Sequence, residues 1–143
     1  MILHRHQEEN MMKKLLLIAT VLVFVFGAST FAVAIDQRTK NGAFIYLIQM
    51  EPSEPVVGSN IVILTIRNAS TGATVEGATV KMVPWMSMHG HGSPKETHIK
   101  EKGNGIYEAS DVYYSMEGSW DLLITIQKGN VEDAASVIVD IKK

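Results

Sequence analysis

Between Ala43 and Ile141 the chain is a succession of short β-branched and aromatic runs, each closed by turn-forming residues, and this rhythm admits little but a layered all-β fold. The runs are 43–50, 60–68, 78–86, 97–100, 106–112, 120–127 and 135–141. Alternation is explicit in three of them. Val62, Leu64 and Ile66 share one face, Trp120, Leu122, Ile124 and Ile126 another, and Val137, Val139 and Ile141 a third. Successive side chains on a strand point to opposite sides, so each set turns toward a core while Arg67, Thr125, Gln127, Asp140 and Lys142 turn to water. Ser70-Thr71-Gly72, Gly103-Asn104-Gly105, Glu117-Gly118-Ser119 and Gly129-Asn130 supply turn chemistry between the runs. Asn68-Ala69-Ser70 matches a glycosylation sequon and reads as another turn. No part of this region has a helical period. Seven strands in about 100 residues predict an immunoglobulin-like antiparallel β-sandwich.

Ahead of this domain, Lys13 and Lys14 precede an uncharged run from Leu15 to Ala34 that closes on Ala32-Val33-Ala34. A basic start, an apolar middle and a small-x-small end describe a secretory signal peptide, with cleavage leaving Ile35 to Lys143. The run is also about 20 residues long, enough to cross a bilayer, so an uncleaved N-terminal membrane anchor is the other reading of residues 1–34. Both place the domain at 35–143 outside the cytoplasm, in the periplasm or on the outer face of the cytoplasmic membrane. The polar stretch before Met11 and Met12 sits awkwardly ahead of an export signal, and a translation start at either methionine would remove it.

The chain has no cysteine, which excludes a lipoprotein anchor and disulfide staples and leaves the fold to rely on its core. The formal net charge is −2 and no basic cluster appears in the domain, so nucleic acid is not an expected partner. No serine sits in a G-x-S-x-G context, no nucleophilic cysteine exists, and no glycine loop that could cradle a phosphate precedes a helix. Catalysis is not expected.

The most chemically loaded stretch is Trp85-Met86-Ser87-Met88-His89-Gly90-His91-Gly92. Thioether sulfur suits Cu(I) and imidazole suits Cu(II), and soft sulfur selects copper over hard cations. Zinc is a poorer match, because methionine is not among its usual ligands. If the chain stayed extended, Met86 and Met88 would point one way and His89 and His91 the other; Gly90 and Gly92 allow it to turn instead. Met86 also continues the parity of Val80 and Met82, so the plain alternative is a methionine that fills the core. For Trp85 the choice lies between a cation–π contact to a monovalent metal and ordinary core packing.

Strand counting adds a spatial expectation. If successive strands alternate in direction, the connections 51–59, 87–96 and 113–119 share one end of the sandwich. Met50 and Met116 then come to the same end as the Met/His segment. The candidate metal ligands are Met86, Met88, His89, His91 and Met116, with His98 on the next strand as a possible addition.

These motifs, in order, resemble the YtkA-like/FixH family of small exported bacterial β-sandwich domains. The resemblance rests on the Pro84-to-Gly92 segment, then Gly105-Ile106-Tyr107, then Met116-Glu117-Gly118-Ser119-Trp120, and it covers about residues 43 to 141. Met88, His89 and His91 occupy the family's Met/His loop and Met116 its later M-x-G-x-W. The family's ordinary loop has methionine, glycine and a single histidine, so Met86-Ser87 and the second histidine are departures. The resemblance implies a β-sandwich outside the cytoplasmic membrane, associated in some members with copper supply to oxidases or with copper efflux. The expected function is therefore an exported copper-binding or copper-transfer module, with Cu(I) favoured. Its expected partner is a copper-handling membrane protein or an oxidase assembly factor. The alternative is an interaction module, without metal, that docks on a membrane complex such as an oxidase assembly or efflux system.

Overall fold

The computed structural model describes residues 36–142. The leader or anchor expected at residues 1–34, and a start at Met11 or Met12, lie outside the described residues. Every described element is a strand: β1 (Gln37–Arg38), β2 (Phe44–Glu51), β3 (Gly58–Asn68), β4 (Thr79–Met86), β5 (His91–Gly92), β6 (His98–Gly103), β7 (Ile106–Tyr114), β8 (Gly118–Lys128) and β9 (Val131–Ile141). They form a five-stranded sheet ordered β1-β2-β3-β7-β6 and a four-stranded sheet ordered β5-β4-β8-β9. All pairings are antiparallel. With the two-residue strands set aside, the orders are those of the ABED and CFG sheets of an immunoglobulin constant-type sandwich.

All seven expected runs are strands, and the residues expected inside face the core, Val137 only partly buried. Val62, Leu64, Ile66, Leu122 and Ile126 are fully buried, and Val139 and Ile141 nearly so. Each such side chain contributes about 1.5–3 kcal/mol of apolar transfer, and the two inner faces supply the core between the sheets. Asn68 closes its turn as expected: Oδ1 accepts the backbone N–H groups of Ser70 at 2.9 Å and Thr71 at 3.0 Å.

One buried carboxylate ties the sheets together. Asp133, on β9, accepts hydrogen bonds from the Thr39 hydroxyl at 2.7 Å, from the Asn41 N–H at 3.0 Å and from the Ala43 N–H at 3.0 Å. Ala134 adds its own N–H at 2.8 Å, and the Lys40 N–H reaches the Ala134 carbonyl at 2.7 Å. The turn that feeds β2 in one sheet is thus held on β9 of the other. Burial by itself would raise the Asp133 carboxyl, but the hydrogen bonds from Thr39, Ala43, Asn41 and Ala134 outweigh it and hold the group at about 2, against an ordinary 3.8.

At the other end, Tyr114 is fully buried with its ring edge-on to Trp120, the centroids 5.5 Å apart. Its hydroxyl has no hydrogen-bond partner among the described residues, and burial pushes the phenol up.

Two outcomes are expected. The folded-state carboxyl of Asp133 lies below its unfolded value, so its stabilisation is complete above about pH 4 and is lost as pH falls toward about 2. Asp133→Asn is expected to lower stability at neutral pH by on the order of 2 kcal/mol, and its deficit relative to the parent should shrink across that acid window, as read from urea midpoints at each pH. Tyr114→Phe removes an unpaired buried hydroxyl, so thermal melting should show no loss of stability, or a gain of about 1 kcal/mol.

Candidate functional site

β4 delivers Met86 to the end of the sandwich in strict alternation, with Val80, Met82, Pro84 and Met86 inward and Lys81, Val83 and Trp85 outward. The chain then turns within Ser87–Gly90. The Met86 carbonyl accepts the N–H groups of His89 at 3.1 Å and Gly90 at 2.9 Å. Gly90 takes a φ of 67°, a conformation that side-chain-bearing residues rarely adopt. β5 then runs back along β4, pairing Met86 with His91 and Trp85 with Gly92, and the Ser93 N–H closes on the Pro84 carbonyl at 3.0 Å. The Ser87 hydroxyl donates to Asp121 Oδ2 on β8 at 2.6 Å and fixes the turn to the neighbouring strand.

The chain takes the turn that Gly90 allows and not the extended arrangement. Residues directly opposite in an antiparallel pair project to the same side of the sheet, so Met86 and His91 share the inner face. Trp85 is not a core residue: it projects outward, half exposed, and its ring closes on Gly92, where a Cβ would stand 3.2 Å from Cε3. The core indole is Trp120.

Trp120 forms the floor of this end. The His91 ring stands edge-on to it, centroids 5.6 Å apart at 77°. The indole Nε1 donates to the Met116 carbonyl at 3.0 Å and so holds the β7–β8 connection in place. Gly118 follows, and a Cβ there would sit 3.1 Å from Met86 Cε, so the connection packs directly on the buried thioether's methyl group. Strand counting correctly brought Met86 and Met116 to one end.

The five candidate ligands differ in access. Met86 is 2% exposed, Met116 41% and Met88 86%. His91 is half-buried beside Trp120, and His89 lies on the turn with its ring centroid 6.0 Å from that of His91. Met86 and His91 share the inner face beside the indole, the Met116 backbone carbonyl is bonded to it, and Met88 projects from the turn into solvent. The His91 Nδ1 is 3.3 Å from the Gly92 carbonyl oxygen. A proton on Nδ1 satisfies that contact and leaves Nε2 with its lone pair. His98 is placed elsewhere, on β6 of the other sheet, exposed and with Nδ1 3.7 Å from the Asp111 carboxylate. Among the described residues no three of His, Asp, Glu and Cys converge in a way that could hold a metal ion. The inner face pairs one thioether, Met86, with one imidazole, His91, donor types that suit copper.

Two supporting residues carried no signal as candidates in the sequence. Asp121 alternates outward between Trp120 and Leu122 and looks like an ordinary surface acid, yet it holds Ser87. Gly118 reads as a turn glycine, although its lack of a side chain is what admits Met86.

No curated protein matches the chain in sequence. Among solved structures it is similar to a DUF4426 family protein from Pseudomonas aeruginosa, with a TM-score of 0.54 and 17% identity over 75% of this chain and 96% of that one. That likeness is one of fold. The model of the YtkA-like family matches residues 45–125, more than half of the chain, from β2 into β8 with the Met/His hairpin included, and the chain belongs to the YtkA-like family.

Proposed function

We propose that the chain is an exported module that takes up copper, Cu(I) in preference, at the hairpin end of its sandwich. It passes the ion to a copper-handling membrane protein or an oxidase assembly factor. The observation that carries this reading is the Met86–His91 pairing, which sets a thioether and an imidazole on one face above Trp120, with Met116 on the adjoining connection. Soft sulfur suits Cu(I), and the imidazoles of His89 and His91 add the donors that Cu(II) prefers. The graded exposure of the thioethers, from Met88 through Met116 to Met86, supports a carrier that must load and unload its cargo. Nothing in this arrangement requires bond-making chemistry, and the chain is proposed to bind, not to catalyse.

A second reading, docking on a membrane complex without metal, draws on the outer face of the four-stranded sheet. There Val83 is 48% and Trp85 37% exposed, a combination suited to a protein contact.

Metal analysis and competition titration separate the two. Met88→Leu combined with Met116→Leu keeps apolar volume at two exposed positions, so the melting temperature should hardly move. Cu(I) affinity should fall by about tenfold or more, equivalent to about 1.4 kcal/mol. His89→Ala with His91→Ala should weaken Cu(II) more than Cu(I). A parent chain that takes up neither ion, or a leucine variant that binds Cu(I) as tightly as the parent, would leave the methionines as packing and tip residues and favour docking.

A further inference from the structure

The four outermost strands of the two sheets are guarded very unequally. β1 and β5 are two residues long, and β6 carries Lys100, Glu101 and Lys102 in six residues, the charged composition that discourages edge pairing. β9 is different: eleven residues, outermost in its sheet, with Ala134-Ala135-Ser136-Val137-Ile138-Val139 free of charge. A long, flat and apolar edge is a template for another strand.

The free part of that edge is well defined. The Ala134 carbonyl points away from β8, because it accepts the Lys40 N–H. Neighbouring residues of a strand alternate in the side to which their N–H and C=O groups point, so Ser136, Ile138 and Asp140 also present theirs outward. Among the described residues no backbone group bonds them there. Lys40 closes the edge at Ala134, Arg38 shares a cleft with Ala135 and Ser136, and the segment 53–56 shares one with Asp140 and Lys142 at the other end. The outward-pointing residues past Lys40 are Ser136, Ile138 and Asp140, a window whose midpoint is Ile138. Ile138 is also the most exposed of the large apolar residues on this strand, at 71%.

We infer that a second copy of this chain pairs antiparallel with β9, the two-fold axis passing through Ile138, and joins two four-stranded sheets into one of eight strands. The occupant is a second copy because the window is self-complementary about that axis. Ile138 meets its own copy, and Ser136 of each chain lies opposite Asp140 of the other; the Ser136 hydroxyl, which reaches Asp121 Oδ1 of its own chain at only 3.5 Å, can donate to that carboxylate instead. All three side chains are on the outer face of the sheet, where the two isoleucines cover apolar surface otherwise left to solvent. No like charges oppose one another within the window. Outward-facing groups at 138 with 138, 136 with 140 and 140 with 136 complete an antiparallel ladder. The paired area is small for a stable complex, so association should depend on concentration.

The test uses the full chain, in detergent where it fractionates with membranes. Sedimentation of the parent should show a concentration-dependent species of twice the chain mass. Ile138→Lys, at a position too exposed to disturb folding, places two ammonium groups on the axis and should abolish that species while leaving the melting temperature unchanged. The chain has no cysteine, so Ile138→Cys introduces a single thiol. Directly opposed residues of a hydrogen-bonded pair have Cα atoms about 5.5 Å apart, within disulfide reach. Oxidation with diamide should give a cross-linked band at twice the chain mass, and Val131→Cys, exposed but outside the window, should not. A parent that remains monomeric would overturn the proposal, as would a dimer that survives Ile138→Lys or equal cross-linking by the Val131 control. A monomer whose edge becomes available to a second copy only when residues before Asp36 are removed would overturn it too, by assigning the edge to the chain's own N-terminal segment.

Discussion

The indole of Trp120 is the constraint around which the loop end of this sandwich is arranged. It sits in one row across the four-stranded sheet, with Val139 paired on one side and the Met86–His91 pair beyond the other. From the opposite sheet Tyr114 brings its ring edge against it. Burying an indole removes about 150–250 Å² of surface from water, worth at most about 4–6 kcal/mol by area. Its polar atom is equally committed, because Nε1 fixes the carbonyl of Met116. One side chain thus sets the spacing of the sheets, the height of the β7–β8 connection and the surface against which His91 rests.

Around that floor the hairpin is held by ties that do not depend on any ligand. Ser87 is bonded to Asp121, Ser93 to Pro84, and the turn closes on the Met86 carbonyl. The hairpin's backbone is therefore fixed by the protein's own hydrogen bonds, and a ligand would meet preorganised groups there. Met88 and His89 stand in solvent, whereas the thioether of Met86 is locked between Gly118 and the core.

Most of the fold was legible in the sequence because the inward residues of β3, β8 and β9 alternate without interruption. The same alternation also holds what was missed. Stepping back from Ile141 through Val139, Val137 and Ala135 arrives at Asp133, on the core face. A carboxylate there breaks the apolar pattern, so the strand appears to begin at Ala135. The donors that make its burial tolerable come from Thr39 to Ala43, about ninety positions away, and no local pattern announces them. Trp85 was readable as outward from its parity with Lys81 and Val83. The face taken by His91 was not readable, because a turn between Met86 and His91 resets the alternation, and only the hydrogen bonds of that turn decide where it restarts.

The N-terminal arm of the sandwich is bound at the pole opposite the hairpin. Asp36 pairs with Arg67, Gln37 and Arg38 lie beside Tyr46 and Ile45, and Asp133 grips Asn41 and Ala43. All of these contacts are at the pole where β2 begins and β3 ends. The Met86–His91 hairpin is at the other pole, one strand away, and the eight residues of β2 span about 25 Å at roughly 3.3 Å each. Asp36 and the hairpin's sulfur and imidazole donors therefore lie at opposite poles of the domain, about the length of β2 apart.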